Sequence, residues 1–309
     1  MRLVVAGASG FIGRNFLLAL PKQWKVVALY HRSSGFPRFV KEKKLLSVTP
    51  LRCDLTHSPS PEQQRRLAEK FDACVFFAAN SDPSFSVKDP ESDFRMTALT
   101  VLHFLSHVKT KRLLYVSSGA VYEGLRGRVS PKTRLISRLP YAISHLAAEQ
   151  YVRSFATFRK NPEEYLIIRF FGAYGPYEPP RKIYTKLIQS FTKGKKHFTI
   201  RGNGKNWIDA MYITDATTAF LRALRSPLKN ATFDLCSARP LPIERLVQRA
   251  AKLFKVDPVT IHKVGPTVEA IHFRASPSFQ KNKLRFQPKV SLETGLRKFA
   301  AFLKEEGVS

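Results

Sequence analysis

Cysteine is scarce in this chain. Cys53, Cys74 and Cys236 are odd in number and far apart, which excludes a disulfide framework and a CxxC-type metal site. They read as buried, reduced thiols, and no metal is expected. No apolar run is long enough to cross a bilayer, and no secretory or transit segment fits ahead of a strand that begins at residue 2, so the expected location is the cytoplasm. Acidic residues are few as well. Against 23 Asp and Glu stand 52 Lys and Arg, a formal net charge of +29 and a field that attracts polyanions. The basic residues are nevertheless scattered, as in Lys41-Glu42-Lys43-Lys44, Arg65-Arg66 and Lys193-Gly194-Lys195-Lys196, without a nucleic-acid-binding motif. They read mainly as a solvated surface, and nucleic acid is not an expected partner. Repeats, low-complexity tracts and flexible linkers are absent too, so nothing splits the 309 residues into independent modules.

What is present is a folded core, with 44% hydrophobic residues. Apolar runs rich in Val, Phe and Tyr recur at Lys25–Tyr30, Asp72–Ala79, Arg112–Ser117 and Tyr165–Phe171. Between and after them lie stretches with apolar residues every three or four positions: Glu62–Lys70, Glu91–Val108, Tyr141–Phe158, Lys182–Lys193 and Asp215–Arg225. Strand alternating with helix predicts an α/β fold, a Rossmann-type doubly wound parallel sheet. The last third is richer in Pro, with helices expected near Ile243–Phe254 and Leu292–Leu303, and reads as a smaller C-terminal lobe. The expected division is a nucleotide domain over 1–165, with about 208–235 packing back onto it, and a mostly substrate-binding lobe over 166–309.

The chain opens with a short apolar strand running into Gly7-Ala8-Ser9-Gly10-Phe11-Ile12-Gly13 and a helix that stops before Pro21. Glycines spaced GxxGxxG let a backbone turn sharply and approach a pyrophosphate, whose charge then meets the N–H groups at the helix start. Gly7, Ser9, Gly10, Phe11, Ile12 and Gly13 are therefore candidate cofactor contacts. A purely structural strand-to-helix turn would carry the same glycines. The second strand ends His31-Arg32-Ser33 without the acidic residue that would select ribose hydroxyls. Arg32, assisted by His31, could instead pair with a 2′-phosphate, so NADP is expected before NAD.

Leu113-Leu114-Tyr115-Val116-Ser117-Ser118-Gly119-Ala120-Val121-Tyr122 is followed by Pro140-Tyr141-Ala142-Ile143-Ser144-His145 at a helix start. Together with the glycine loop, Asp54-Leu55, Phe77-Ala78-Ala79, Arg169 to Pro176, and Gly202-Asn203-Gly204 through Asp215, these segments give the chain its likeness. It resembles an extended short-chain dehydrogenase/reductase of the NAD-dependent epimerase/dehydratase family over nearly its whole length. The resemblance implies that Ser118 hydrogen-bonds the reacting oxygen and that Tyr141 moves a proton to or from it. It also implies that Asp54 and Leu55 contact adenine and that Ala78, Ala79, Ser117, Tyr141 and residue 145 border the cofactor. Dimerisation through the helices near Glu91–Val108 and Tyr141–Phe158 is implied as well, giving a homodimer.

One departure concerns the chemistry. The family places lysine four residues after the tyrosine, where its charge favours the phenolate of a group whose reference pKa is about 10. Here His145 stands one helical turn from Tyr141, shorter than lysine and only partly charged at neutral pH. A working but altered site, a slow enzyme, and a nucleotide-binding pseudoenzyme with an anionic partner are the three readings of that exchange.

Gly119 and Ala120 supply neither the Asp-Glu pair expected of a 4,6-dehydratase nor the cysteine expected of a GDP-fucose synthase-like enzyme. What remains is hydride chemistry on a nucleotide-linked sugar, by a 4-ketoreductase or a 4-epimerase. Ser118, Gly172, Lys186 and Arg201 are candidate substrate contacts, with Arg181 and Lys182 further candidates for a diphosphate. Gly172 and Ile208 replace the Asn and Arg that often touch the diphosphate in the family. Gly202-Asn203-Gly204-Lys205-Asn206 also resembles 3β-hydroxysteroid dehydrogenases, which keeps a hydrophobic alcohol as an alternative substrate.

Overall fold

Strands that are apolar on both faces need cover on both faces, the condition a parallel sheet between two helical layers satisfies. The computed structural model, which describes residues 1–267 and 271–307, has that arrangement. The first part alternates β1 (Arg2–Ala6), α1 (Phe11–Leu18), β2 (Lys25–Tyr30), α2 (Phe36–Glu42), β3 (Val48–Arg52), α3 (Pro61–Leu67) and β4 (Phe71–Phe76). Next come α4 (Pro83–Lys88), α5 (Pro90–Phe94), a π-helical turn (Arg95–Leu99) and α6 (Thr100–His107). They lead into β5 (Thr110–Ser118), β6 (Arg126–Val129), α7 (Pro140–Ser154) and β7 (Glu164–Phe170). Beyond these lie β8 (Ala173–Tyr174), α8 (Ile183–Phe191), β9 (His197–Arg201), β10 (Trp207–Ile208), β11 (Met211–Tyr212), α9 (Ile213–Arg225) and β12 (Ala231–Leu235). The remainder is β13 (Leu241–Pro242), α10 (Ile243–Leu253), β14 (Thr260–Val264), β15 (His272–Ala275), α11 (Ser278–Asn282) and α12 (Leu292–Glu305).

Seven strands form one sheet in the order β12-β7-β5-β4-β1-β2-β3, every pair parallel. Strand order reverses between β1 and β4, and the crevice beyond their C-terminal ends is where such folds bind ligands. The expected α/β doubly wound sheet is therefore what the chain builds. Pro50 sits in β3, which lies at the sheet edge, the place where a missing N–H breaks no ladder.

One sheet face packs Leu17 and Phe16 of α1 with Ala216 and Phe220 of α9, while the other packs Leu67, Phe104, Ala148 and Val152. So α9 and β12 sit on the sheet, although they follow the lobe segments β8 to β10. The lobe has its own core of Leu187, Phe191, Leu246, Val247, Leu296 and Phe299, contributed by α8, α10 and α12. Tyr174 and Tyr184 stack within it, centroids 4.2 Å apart. The helix expected over Glu91–Val108 runs from Pro90 to His107, with a π turn over Arg95–Leu99 between α5 and α6.

Candidate active site

The three glycines after β1 have different reasons to be glycine. Gly7 has φ +75°, and a Cβ there would lie 2.7 Å from the Ala78 nitrogen at the end of β4. At Gly13 a Cβ would come within 2.3 Å of the Gly7 oxygen and 2.7 Å of the Ala8 Cα. These two let the loop close on β4 and the helix close on the loop. Gly10 is exposed, with φ −73°, and a Cβ there would meet only the Gly7 oxygen at 3.3 Å. It is the N-cap of α1 and provides no side chain to bond the free N–H groups of the first turn. An uncapped, bare helix start facing a crevice fits a pyrophosphate. Ser9 lends its carbonyl to Arg14 Nε at 3.0 Å, and Phe11 and Ile12 border the cleft.

At the end of β2, Arg32 is exposed and its guanidinium has no hydrogen bond or ion pair among the described residues. His31 does not share its freedom: its Nε2 lies 3.2 Å from Asp54 Oδ2. Asp54 Oδ1 accepts from the Thr56 N–H at 3.0 Å and the Thr56 hydroxyl at 2.8 Å. Burial pushes the Asp54 carboxyl up, but Thr56, His31 and His57 outweigh it and hold it below its usual range. Asp54 thus holds one nitrogen of the His31 imidazole. Leu55 is buried beside Asp54.

From the crevice a cleft of about 410 Å³ extends toward the lobe, bordered among others by Ala79, Ser117, Ser118, Tyr141, His145 and Gly172. Ser118 ends β5, where its Oγ accepts from the Ala120 N–H at 3.1 Å and caps the 3-10 turn Gly119–Tyr122. A Cβ on Gly119 would touch the Phe171 ring at 3.0 Å, so this position cannot carry an acid without movement. Pro140 opens α7 and sets Tyr141 in its first turn, where the Tyr141 N–H donates to Ser86 Oγ at 3.1 Å. One turn on, the His145 ring crosses that of Tyr141 edge to face, centroids 4.7 Å apart.

The His145 Nδ1 is 3.1 Å from the buried Tyr115 hydroxyl, and its Nε2 is buried without a partner among the described residues. Burial pushes the imidazole down to about 4, against the opposing pull of Glu149. The partial charge expected for His145 is therefore corrected to none near neutral pH, because desolvation disfavours the cation.

Behind the cleft runs a buried polar chain. Ser117 Oγ donates to Glu149 Oε1 at 2.8 Å, and Arg169 grips both oxygens of Glu149 at 3.0 and 2.9 Å. Arg169 also donates to the Tyr122 hydroxyl at 3.0 Å, which donates to Asp234 Oδ1 at 2.8 Å. Burial raises the Asp234 carboxyl to about 7. Two more buried carboxyls border the cleft itself, and sequence reading missed both. Glu178 accepts from the Thr185 N–H (2.9 Å) and hydroxyl (2.7 Å), and burial raises it to about 7. Asp209 accepts from the Ser237 hydroxyl, and burial raises it to about 6. Asp209 lies inside the Gly202-to-Asp215 segment, and Glu178 lies two residues past Arg169 to Pro176, outside any motif segment.

Of the basic candidates, Lys182 borders the cleft, and both it and Arg181 reach Ser81, Lys182 Nζ to the carbonyl at 2.6 Å and Arg181 to the hydroxyl at 2.7 Å. Lys186 and Arg201 do not join them. They border a separate basic depression with Lys193, Lys195 and His197, because Lys186 lies a turn, roughly 6 Å, further along α8 and β9 faces that side. Among the described residues no group of three or more metal-ligating side chains converges, and no helix is long and apolar enough to cross a membrane.

The family model of the NAD dependent epimerase/dehydratase family matches residues 3–236. The uncharacterized UDP-glucose epimerase YtcB of Bacillus subtilis is 26% identical, covering 98% of each chain. The dTDP-glucose 4,6-dehydratase of Mycobacterium tuberculosis is 25% identical over 96% of this chain and 91% of its own. In fold, the chain matches the UDP-glucuronic acid 4-epimerase of Bacillus cereus, solved with UDP-glucuronic acid and NAD, at a TM-score of 0.88 and 22% identity over 99% and 100% of the two chains.

Proposed function

The chain belongs to the NAD dependent epimerase/dehydratase family, and from that premise we propose that it is a nicotinamide-dependent 4-ketoreductase or 4-epimerase of a nucleotide-linked sugar. The observation that carries this reading is the meeting of Ser118, Tyr141 and His145 in one cleft that begins at the bare start of α1. The likeness to a UDP-glucose epimerase and to a dTDP-glucose 4,6-dehydratase supports the substrate class.

The residues present fit the cofactor. Gly7, Ser9, Gly10 and Gly13 shape the pyrophosphate turn, and Phe11, Ile12, Ala78 and Ala79 border the dinucleotide. Asp54 and Leu55 face the adenine end, and Ser117, Tyr141 and His145 border the nicotinamide end. When bound, the nicotinamide supplies or receives the hydride. Tyr141 passes a proton to or from the oxygen on the reacting carbon, and Ser118 hydrogen-bonds that oxygen. The sugar enters from the side of Gly172, with Lys182 as the cation nearest its diphosphate. Gly119 and Ala120 offer no acid and base for dehydration. Arg32, exposed at the tip of β2, favours NADP over NAD.

Incubating the protein with UDP-glucose, UDP-glucuronic acid or dTDP-glucose, each with NAD or NADP, tests this by chromatographic separation of C4 epimers and mass spectrometry of 4-keto products. Turnover of one of them supports the reading, and loss of turnover in Tyr141→Phe assigns the proton. The aromatic and apolar wall formed by Phe171, Trp207, Ile208 and Phe273 favours a second reading, a hydrophobic alcohol. A sterol that outpaces every nucleotide sugar in the same assay would establish it.

The helices α5 and α7 expose Phe94, Ile143 and Tyr151, and a homodimer through this face is part of the proposal. Light scattering should give twice the chain mass for wild type and one chain mass for Ile143→Glu; a monomeric wild type would remove the dimer.

A further inference from the structure

His145 and Tyr115 form a unit that the family's lysine does not need. Tyr115 lies in β5, is almost fully buried and has His145 Nδ1 as its hydrogen-bond partner at 3.1 Å. A buried phenol with one partner in reach must donate to it, since accepting instead would strand its own proton without an acceptor. Nδ1 is then the acceptor, and in a neutral imidazole the proton sits on Nε2. That nitrogen is one of three buried side-chain polar atoms without a partner among the described residues, on a ring that borders the cleft. The sequence alone gave Tyr115 no role beyond the strand core.

We propose that Tyr115 locks His145 as the neutral, Nε2-protonated imidazole, so that residue 145 presents a hydrogen-bond donor and no charge to the cleft. A ligand in the cleft would meet an uncharged N–H at residue 145, where the family's lysine would place a cation.

The surrounding charges agree. Glu149, on the same helix, pulls the imidazole toward protonation, and burial outweighs it. Arg169 of β7 is paired with Glu149, Asp93 of α5 is bonded to Asn80 and Ser144, and Arg95 of the π turn pairs with Glu91. Tyr141 is the other titratable group against the ring. The donor therefore stays the same from mildly acidic to mildly alkaline pH.

The test uses the full chain with ring-nitrogen-labelled histidine and long-range proton–nitrogen NMR, the His145 signals being those missing from His145→Gln. Near neutral pH the signals should show a bare Nδ1 and a protonated Nε2, and in Tyr115→Phe they should move toward a mixture of tautomers. An imidazolium, a proton on Nδ1, or a tautomer indifferent to Tyr115→Phe would overturn the lock.

Discussion

Replacing His145 with lysine restores a cation beside Tyr141, and the distance between the rings sets the size of the effect. The centroids of Tyr141 and His145 are 4.7 Å apart. A unit charge at about 5 Å, with an effective dielectric near 20, favours the phenolate by ~3 kcal/mol. That corresponds to about two pKa units. Glu149, on the next turn of α7, helps keep the new ammonium charged. The assay is the ultraviolet absorbance of tyrosinate during an alkaline titration, with Tyr141→Phe in each background subtracted to isolate Tyr141. His145→Lys should bring ionisation of Tyr141 about two pH units lower than in wild type. The sign follows from the cation favouring the charged form of the phenol. The pH at which alcohol oxidation begins, where Tyr141 must accept a proton, should fall with it. Ionisation at the same pH in both proteins would refute the reasoning, since it would mean that residue 145 is not beside the phenol or already carries a charge.

Gly13→Ala drives a Cβ into the Gly7 and Ala8 backbone and should cost about 3 kcal/mol or more of stability in a urea titration. Gly10→Ala should unfold within about 1 kcal/mol of wild type while losing about tenfold in dinucleotide affinity; the reverse pattern would contradict the roles given to the two glycines. Arg32→Ala should weaken NADPH binding about tenfold and leave NADH binding within about twofold, and equal wild-type affinity for the two would remove the NADP preference. Burial holds the folded Asp234 carboxyl near 7, above the usual carboxylate value, so its contribution is complete below the unfolded pKa and lost as pH rises through the folded one. Asp234→Asn keeps an acceptor for Tyr122 and should match wild type within about 1 kcal/mol near pH 5, yet exceed it by roughly 1–3 kcal/mol near pH 8. An unchanged difference between those two pH values would show that the carboxyl is ionised throughout.

Much of the sheet was legible because its strands are unbroken apolar runs. Lys25–Tyr30 is β2 as expected, and the glycine turn sits between β1 and α1. β3 escaped notice because Pro50 breaks its pattern, which an edge strand tolerates. β12 was not singled out, since Ala231–Leu235 reaches the sheet only through pairing with β7, a contact across more than sixty residues that local pattern does not encode. In the site, residues identified by motif spacing, such as Ser118, Tyr141 and His145, come together in the cleft. What spacing could not reveal is environment. The neutrality of His145 depends on burial and on Tyr115 from another element, and Glu178, Asp209 and Asp234 become weak acids only because the fold removes water from them. Lys186 and Arg201 belong in sequence to segments expected to line the cleft, and the side of the lobe they occupy separates them from it.

The most direct measurement of the central claim is a crystal structure of the protein grown with NADPH and a nucleotide sugar. The account predicts the pyrophosphate on the N–H groups around Gly10, with the nicotinamide between Ser118 and Tyr141 and within hydride reach of the sugar. A dinucleotide bound elsewhere, or a nicotinamide turned away from both hydroxyls, would contradict it.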